Sequence, residues 1–173
     1  MKIINCTHDR HATQILDVFN EVILTSTALF DYKPRTLESM SSWFKAKEAG
    51  RFPVIGIEAP DGQLLGFVSY GMFRAWPAYK YSVEHSVYVH KDHRGQGLGR
   101  KLMLEVIAVA REQDYHVLIG GIEAENSGSI DLHESLSFTH AGTIQQVGYK
   151  FGRWLDLSFY QLILQTPSNP SDA

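Results

Sequence analysis

One segment, residues 84–103, joins a strand pattern to a helix pattern through a glycine-rich turn. Its sequence is EHSVYVHKDHRGQGLGRKLM. Apolar and polar residues alternate up to position 89, which is typical of a strand with one buried face. Glycines then stand at positions 95, 97 and 99, while Leu98 and Leu102 begin an apolar repeat with helical spacing. A strand that turns directly into a helix indicates an α/β domain.

The patterns on either side of this segment complete the domain. Helical repeats follow Thr7 or Asp9 and again Thr36, and the second repeat ends at Gly50. Residues 52–73 have a hairpin pattern around a Pro-Asp-Gly turn. A further strand, a short helix and a final strand pair follow residue 115. We therefore expect one mixed α/β domain over residues 1–165 and a disordered tail at 166–173.

Composition limits the partners of the chain. Sixteen Lys and Arg oppose nineteen Asp and Glu, for a net charge of −3, and no block of like charge interrupts the mixture. This argues against a nucleic-acid or membrane surface and favours a small-molecule partner. The only cysteine, Cys6, cannot form an internal disulfide and is predicted to be a buried apolar residue. The N-terminal residues lack the apolar core of a signal peptide, so we expect a cytoplasmic protein.

The glycine turn is predicted to hold a phosphate. A helix N-terminus presents unpaired N–H groups and a positive dipole end, and Arg94 and Arg100 add charge on either side. The Walker A pattern would need Gly-Lys-Ser/Thr at the helix start, whereas Arg100 follows Gly99. The dinucleotide pattern G-x-G-x-x-G would need glycine at that same position. The pattern that remains is R-x-x-G-x-G, formed by Arg94, Gly97 and Gly99. The alternative is a structural turn that binds no ligand.

Several segments of the chain resemble one known family. VYVHKDHRGQGLGRKLM is similar to the pyrophosphate-binding signature of the GNAT superfamily of N-acetyltransferases, and GIEAENSGSIDLHESLSF resembles the next segment of that fold. STALFDYKPRT, YGMFRAWPAYKYSVEHSVYVH and GYKFGRWLDLSFYQ resemble its phosphinothricin and methionine-sulfoximine acetyltransferase branch. The resemblance implies a mostly antiparallel central sheet flanked by about four helices, acetyl-CoA as cosubstrate, and a homodimer.

The resemblance also assigns contacts with acetyl-CoA. Strand backbone would pair with the pantetheine arm, the turn would surround the pyrophosphate, and an Asn before the following short helix would bind the cofactor. In this sequence the implied residues are Val87, Tyr88, Val89, Arg94, Gly95, Gln96, Gly97, Leu98, Gly99, Arg100, Asn126 and Ser129. Without the resemblance, the residue patterns support only the binding of a phosphate at the glycine turn.

Acetyl transfer to an amine needs one group that polarises the thioester carbonyl and another that removes the amine proton. A backbone N–H at Val87 suits the thioester carbonyl oxygen, and Glu84 suits removal of the amine proton, directly or through water. Alternatively, Glu84 is an ion-pair partner of Arg74 or Lys80. Many family members place a Tyr as general acid in the helix after the Asn, but this sequence has His133 there. His133 can donate a proton, contact the cofactor or be a core residue.

The loop before this strand is predicted to bind the acceptor. Arg74 has the planar fork that suits a carboxylate, and the segment FRAWPAY adds aromatic residues and a rigid proline. By resemblance, the acceptor would contact Phe30, Arg74, Ala75, Trp76, Tyr79, Glu84, His85 and Ser86. The implied reaction acetylates the α-amino group of a small amino acid or analogue through a tetrahedral intermediate. Phosphinothricin, methionine sulfoximine and methionine sulfone are examples of such acceptors.

Two other functions remain open at this point. The acceptor can be a polyamine, an aminoglycoside or a protein N-terminus, although such cations usually need an acidic pocket. A non-catalytic acyl-CoA-binding sensor would keep the turn without the chemistry. His90 and His93 have the spacing H-x-x-H, but they fall on a strand end and a loop with no cysteine beside them, so we expect no metal site.

Overall fold

Seven strands and four α-helices lie along residues 1–172, which are the residues described by the computed structural model. The strands are β1 (Lys2–Asn5), β2 (Val54–Glu58), β3 (Leu64–Met72), β4 (Ser82–Val89), β5 (Val117–Glu123), β6 (Thr139–Lys150) and β7 (Arg153–Ile163). The helices are α1 (His8–Thr25), α2 (Leu37–Ala49), α3 (Leu98–Glu112) and α4 (Ser127–Glu134). Two short 3₁₀ turns, Pro77–Tyr79 and Lys91–His93, precede and follow β4 and were not predicted.

The strands form one sheet in the order β1-β2-β3-β4-β5-β7-β6. The pairs β1/β2, β2/β3, β5/β7 and β6/β7 are antiparallel, whereas β4 and β5 run parallel. The predicted mixed α/β fold, with a mostly antiparallel sheet and about four helices, is therefore confirmed. No helix within residues 1–172 is both long enough and apolar enough to cross a membrane.

The described chain divides into two compact units, and the single domain over residues 1–165 stays a prediction. The first unit contains Met1–Tyr70 and Ser86–Val106. Its core forms where the apolar stripe of α1 meets α2 and the β2–β3 hairpin, and Phe19 packs edge-on against both Trp43 and Phe67. α2 begins at its predicted cap, because the Thr36 hydroxyl accepts from the backbone N–H of Ser39 at 3.3 Å.

The second unit contains Gly71–His85 and the chain from Ile107 onward. β7 is its central strand, paired with β5 on one side and β6 on the other. Two contacts involve the segment after residue 165, for which disorder stays a prediction: the Tyr81 hydroxyl donates to the Ser171 carbonyl at 3.2 Å, and His116 Nδ1 lies 2.8 Å from the Thr166 carbonyl oxygen. The last residue of that expected tail, Ala173, lies outside the described residues.

Candidate active site

The glycine turn follows the C-terminal end of β4. The His90 N–H donates to the Leu65 carbonyl at 2.9 Å, and the Lys91–His93 turn then leads to Arg94. Gly95 and Gly97 both have a φ of 75°, a conformation that favours glycine. A Cβ at either position would meet no atom within 4 Å, so the dihedral angle and not crowding explains these two glycines. The turn leaves open space beside its backbone.

The first turn of α3 has the charge pattern of an anion site. It carries no acidic residue, and Arg100 and Lys101 are exposed. The first helical hydrogen bond runs from the Lys101 N–H to the Gly97 carbonyl, so earlier N–H groups have no partner within the helix. These groups and the helix dipole favour a phosphate here. The side chain of Leu98 is buried, so it anchors the turn and leaves only its backbone for a ligand.

Arg94, predicted to contact the pyrophosphate, is already engaged in this structure. Its Nε donates to the Val89 carbonyl at 3.2 Å, and its guanidinium forms an ion pair with Glu21 of α1. The Thr25 hydroxyl donates to the other carboxylate oxygen of Glu21 at 3.0 Å. The Arg94 guanidinium therefore shares its positive charge with Glu21, and its remaining N–H donors can contact a phosphate.

Part of one edge of β4 does not take part in strand pairing. Its ladder with β5 consists of Ser82↔Val117, Val83↔Leu118 and Glu84↔Ile119. Within the described chain, this ladder contains no β4 residue after Glu84, so residues 86–89 do not use that edge for β5. On the side of β3, a Cβ at Gly66 would lie 2.7 Å from the Tyr88 carbonyl oxygen. The residues predicted to hold the pantetheine arm, Val87, Tyr88 and Val89, lie beyond the last pair of this ladder.

Glu84 lies over β5 with its carboxylate close to a glycine. An ideal Cβ on Gly121 would be 3.0 Å from Glu84 Oε1, 3.5 Å from Leu157 Cδ1 and 3.7 Å from Phe159 Cε1. Burial raises the pKa of the half-buried Glu84 carboxyl, while the nearby positive charge of Arg74 acts in the opposite direction. A carboxyl with a raised pKa is a stronger base once ionised, which suits proton removal.

One aromatic side chain, Phe159, lies beside Gly121 close to the Glu84 carboxylate, and other aromatic residues pack against it. Phe73 packs against Tyr79 and Phe159 at ring-centroid distances of 5.6 Å and 6.4 Å. The Arg74 guanidinium lies 5.0 Å from the centre of the Phe73 ring. This aromatic cluster of Phe73, Tyr79 and Phe159, together with Arg74, provides an apolar wall and a cation beside Glu84.

His85 and His133 form a buried pair on the opposite side of β5. Their rings stack with centroids 5.0 Å apart, and the two Nε2 atoms are 2.8 Å apart. His133 Nδ1 lies 2.6 Å from the Ser129 carbonyl, so it carries the proton and donates there. The neutral His133 then accepts at Nε2 from His85, whose Nδ1 has no partner within residues 1–172. Burial, and next the neighbouring His133, lower the pKa of His85 to about 3.

This placement changes two of the predicted roles. His85 is 4% exposed, which does not agree with the predicted contact between its side chain and the acceptor. Successive side chains of a strand point to opposite faces, so Glu84 and His85 cannot both line one pocket. His133 is 2% exposed and burial lowers its pKa, which favours its alternative role as a core residue.

The other predicted residues lie as follows. Asn126 Oδ1 accepts from the Ser129 N–H at 3.2 Å and so caps α4. Within residues 1–172 the Asn126 side-chain amide nitrogen has no partner and can donate to a ligand. The exposed members of the predicted set are Phe30, Arg74, Ala75, Trp76, Tyr79, Ser86, Arg94, Gly95, Gln96, Gly97 and Arg100. Trp76 is the most exposed of the aromatic residues among them, at 74%.

Sequence reasoning missed Gly121 and Phe159. The available signal for Gly121 was a pair of glycines inside an apolar strand, a position that glycine normally weakens. No sequence signal identified Phe159, because its approach to Glu84 depends on the register of β5 against β7.

A cavity of about 480 Å³ lies in the first unit, and none of the predicted site residues lines it. Its lining includes Cys6, Phe44, Lys47 and Phe52. The Lys47 ammonium donates to the Tyr70 carbonyl at 2.8 Å, and burial lowers the pKa of Lys47 to about 8. No group of three or more His, Cys, Asp or Glu within residues 1–172 is arranged to hold a metal ion.

Comparison with known proteins identifies relatives over nearly the whole chain. A family model described as Acetyltransferase (GNAT) family matches residues 17–138. The chain is 40% identical over 156 residues to the L-amino acid N-acyltransferase MnaT of Escherichia coli K12, over 90% of each chain. It is 40% identical to the L-methionine sulfoximine/L-methionine sulfone acetyltransferase of Salmonella typhimurium LT2, over 90% of this chain and 91% of that one.

A solved structure supports the same relationship. The GNAT superfamily phosphinothricin acetyltransferase from Sinorhizobium meliloti, in complex with AcCoA, has a TM-score of 0.92 to this chain. The two are 25% identical, and the match covers 98% of this chain and 91% of that one.

Proposed function

The chain belongs to the acetyltransferase (GNAT) family, and we propose that it transfers the acetyl group of acetyl-CoA to the α-amino group of a small amino acid or analogue. Methionine sulfoximine, methionine sulfone and phosphinothricin are the acceptors named for its relatives, and they define the class. The observation that carries the proposal is the Glu84 carboxylate, placed beside Arg74 on the strand that leads into the glycine turn.

The glycine turn and the end of β4 beyond its ladder with β5 are proposed to hold acetyl-CoA. The N–H groups at residues 95–100 would bind the pyrophosphate at the positive end of α3, and the backbone of Val87–Val89 would pair with the pantetheine arm. Asn126 has a side-chain N–H to donate. Acetyl-CoA supplies an activated acyl group, so the protein needs only to orient it and to manage charge and protons.

Proton removal is assigned to Glu84. An α-amine is mostly protonated near pH 7, and a base is needed to bring it to the neutral, nucleophilic form. Glu84 has a raised pKa and accepts this proton directly or through a water. The Val87 N–H, on the same strand, is proposed to donate to the carbonyl oxygen as negative charge develops there.

Protonation of the leaving thiolate is the step with the weakest side-chain support. Proton donation was one of the roles left open for His133, but its Nδ1 donates to the Ser129 carbonyl and its Nε2 faces His85. A thiol has a pKa of about 8.5, so a thiolate is a stable leaving group and water suffices to protonate it. We therefore propose that acetyl transfer proceeds without an acid at position 133.

The acceptor class follows from Arg74 and the aromatic cluster. The Arg74 guanidinium is suited to the α-carboxylate of an amino acid, and Phe73, Tyr79 and Phe159 are suited to an apolar side chain. A polyamine or aminoglycoside would bring several positive charges towards Arg74, which is unfavourable.

We also propose a homodimer in the cytoplasm. The strands β6 and β7 and the turn between them expose Ile144, Val147, Phe151 and Trp154, each at least 45% accessible. Exposed apolar side chains in such number are typical of a protein interface. Light scattering should give twice the monomer mass, and Trp154→Glu should shift the protein to the monomer. A concentration-independent, fully active monomer would contradict the dimer.

A panel of acceptors tests the proposed function. Release of the CoA thiol is measured with methionine sulfone, methionine sulfoximine, phosphinothricin, spermidine, an aminoglycoside and a peptide N-terminus. We expect turnover with the three amino acids and little with the amines that lack a carboxylate. Faster turnover of spermidine would overturn the acceptor class. Binding of acetyl-CoA without turnover of any acceptor would identify a sensor instead of an enzyme.

A further inference from the structure

The two adjacent glycines of β5, Gly120 and Gly121, need a physical explanation. Glycine weakens a strand because it costs conformational entropy and offers no side chain to pack. Neither residue has a φ in the left-handed region, so backbone conformation does not require glycine at either position. The remaining reason is space for a neighbouring side chain.

That space is used differently on the two faces. A Cβ at Gly120, which is buried, would lie 3.1 Å from His133 Nε2 and 3.1 Å from His85 Cε1. A Cβ at the exposed Gly121 would lie 3.0 Å from Glu84 Oε1. One glycine therefore leaves room for the buried histidine pair and the other for the carboxylate of the proposed base.

Only the carboxylate would be crowded by a methyl group at position 121. The next neighbours, Leu157 Cδ1 at 3.5 Å and Phe159 Cε1 at 3.7 Å, would make ordinary van der Waals contacts with it. The crowded atom is the end of a flexible side chain, so it can move by a few tenths of an ångström without disturbing the strand. A substitution here consequently acts on Glu84 and not on the fold.

We infer that Gly121 is a positioning residue for Glu84: the missing side chain at 121 lets the Glu84 carboxylate lie against the backbone of β5 in its reactive position. This inference rests on the proposed role of Glu84 as base. It adds a residue that acts through Glu84 and sets where the proton is taken up and how readily.

Gly121→Ala tests the inference through the rate and its pH dependence. The added methyl displaces the carboxylate and surrounds it with more apolar surface, which disfavours the charged form and raises the pKa of Glu84. We expect kcat to fall about five- to twentyfold, since a 1 Å misplacement costs roughly a hundredfold. The acidic limb of the kcat–pH profile should move to higher pH, with unchanged acetyl-CoA affinity and little change in melting temperature.

Gly121→Ser provides a second variant with a shift in the other direction. Its Cβ meets the same atom, but its hydroxyl can donate a hydrogen bond to the carboxylate and so favours the charged form. The acidic limb of Gly121→Ser should therefore lie at lower pH than that of Gly121→Ala. If the acidic limbs of the kcat–pH profiles coincided in Gly121→Ala, Gly121→Ser and the parent protein, the inference would be overturned.

Gly120→Ala is the matched control on the same strand. It crowds the buried histidine pair, so we expect a lower melting temperature and an acidic limb at the parental pH. If Gly120→Ala shifted the limb as far as Gly121→Ala, the effect would belong to strand distortion, and the inference would fail.

A double variant separates this inference from the proposed function. In a Glu84→Gln background, Gly121→Ala should leave kcat unchanged, because the group on which it acts is gone. An equal loss in both backgrounds would overturn the positioning role. If Glu84→Gln itself kept the parental kcat, the proposed base would be wrong, whereas a slow Glu84→Gln with a normal Gly121→Ala would reject only the role of Gly121.

Discussion

The glycine turn before α3 and the glycine pair of β5 use the same residue for different reasons. In the turn, Gly95 and Gly97 have a φ of 75° and empty space where a Cβ would be. In β5, Gly120 and Gly121 have strand conformation and a neighbour about 3 Å from the place of the Cβ. The first pair is glycine because its backbone has positive φ angles. The second pair is glycine because a side chain at either position would crowd a neighbouring side chain.

The difference extends to how each region handles charge. The turn places exposed Arg100 and Lys101 and a helix dipole beside open space, an arrangement suited to a large solvated anion. Around Glu84, burial by apolar neighbours raises the pKa of a single carboxyl. The site for the anion is exposed to solvent, whereas the reacting carboxyl is tuned by burial. Substitutions in the turn should therefore change acetyl-CoA affinity, and substitutions at Glu84 should change kcat.

The largest effect is expected in the turn. Gly97→Asp should abolish acetyl-CoA binding by calorimetry, because it adds backbone strain and repels the pyrophosphate. Gly97→Ala is the matched control, since it adds only the strain of a left-handed residue, about 1–2 kcal/mol. It should weaken binding roughly five- to thirtyfold. A folded Gly97→Asp protein with parental affinity would show that the turn is not the acetyl-CoA site.

The next largest effect is expected on kcat, from substitution of the half-buried Glu84. Glu84→Gln keeps the shape and removes the base, so kcat should fall about 10²- to 10⁴-fold while acetyl-CoA affinity stays nearly unchanged. In the parent protein the base is active only above the raised pKa of Glu84, so kcat should rise with pH through that value. The variant should recover part of its rate at high pH, where free amine accumulates.

A near-parental kcat for Glu84→Gln across pH 6 to 9 would contradict the assignment of the base. A loss of acetyl-CoA binding equal to the loss of rate would mark Glu84 as structural instead.

A smaller effect is expected for the cation beside Glu84. Arg74→Ala should raise KM for an amino acid about ten- to a hundredfold, the value of a charge-assisted contact of roughly 1.5–3 kcal/mol. The methyl ester of the same amino acid should be affected much less. Steady-state kinetics of both acceptors, well above the pKa of Glu84, measures the difference. Equal losses would show that Arg74 acts on the fold or on Glu84 alone.

The smallest effect concerns the ion pair of Arg94. Glu21→Gln removes a negative charge beside the turn and frees the guanidinium, so acetyl-CoA should bind about two- to fivefold more tightly, in keeping with an exposed pair of up to about 1 kcal/mol. Glu38→Gln, on the exposed surface of α2, is the control. Weaker binding by Glu21→Gln would mean that Glu21 holds Arg94 in the conformation that the turn requires.

The sequence predicted the local features of this molecule and missed those that depend on distant neighbours. Alternation and helical spacing predicted β4 and α3, and the R-x-x-G-x-G spacing predicted the turn, because each depends on residues next to one another. The acceptor contact of His85 was implied only by resemblance of the segment from Glu84 to Ser86, and alternation places the side chains of Glu84 and His85 on opposite faces. Gly121 was missed because its role depends on where a side chain of another strand ends.

The burial of Cys6 has a practical consequence for work on this protein. Burial, and next the charge of Glu58, raise the pKa of the Cys6 thiol to about 12. It is the only cysteine of the chain, and a thiolate is the form that reacts with disulfides and maleimides. Any cysteine introduced at an exposed position would be the single site of labelling. A fluorophore or spin probe can therefore be attached to the otherwise native sequence, without a cysteine-free background.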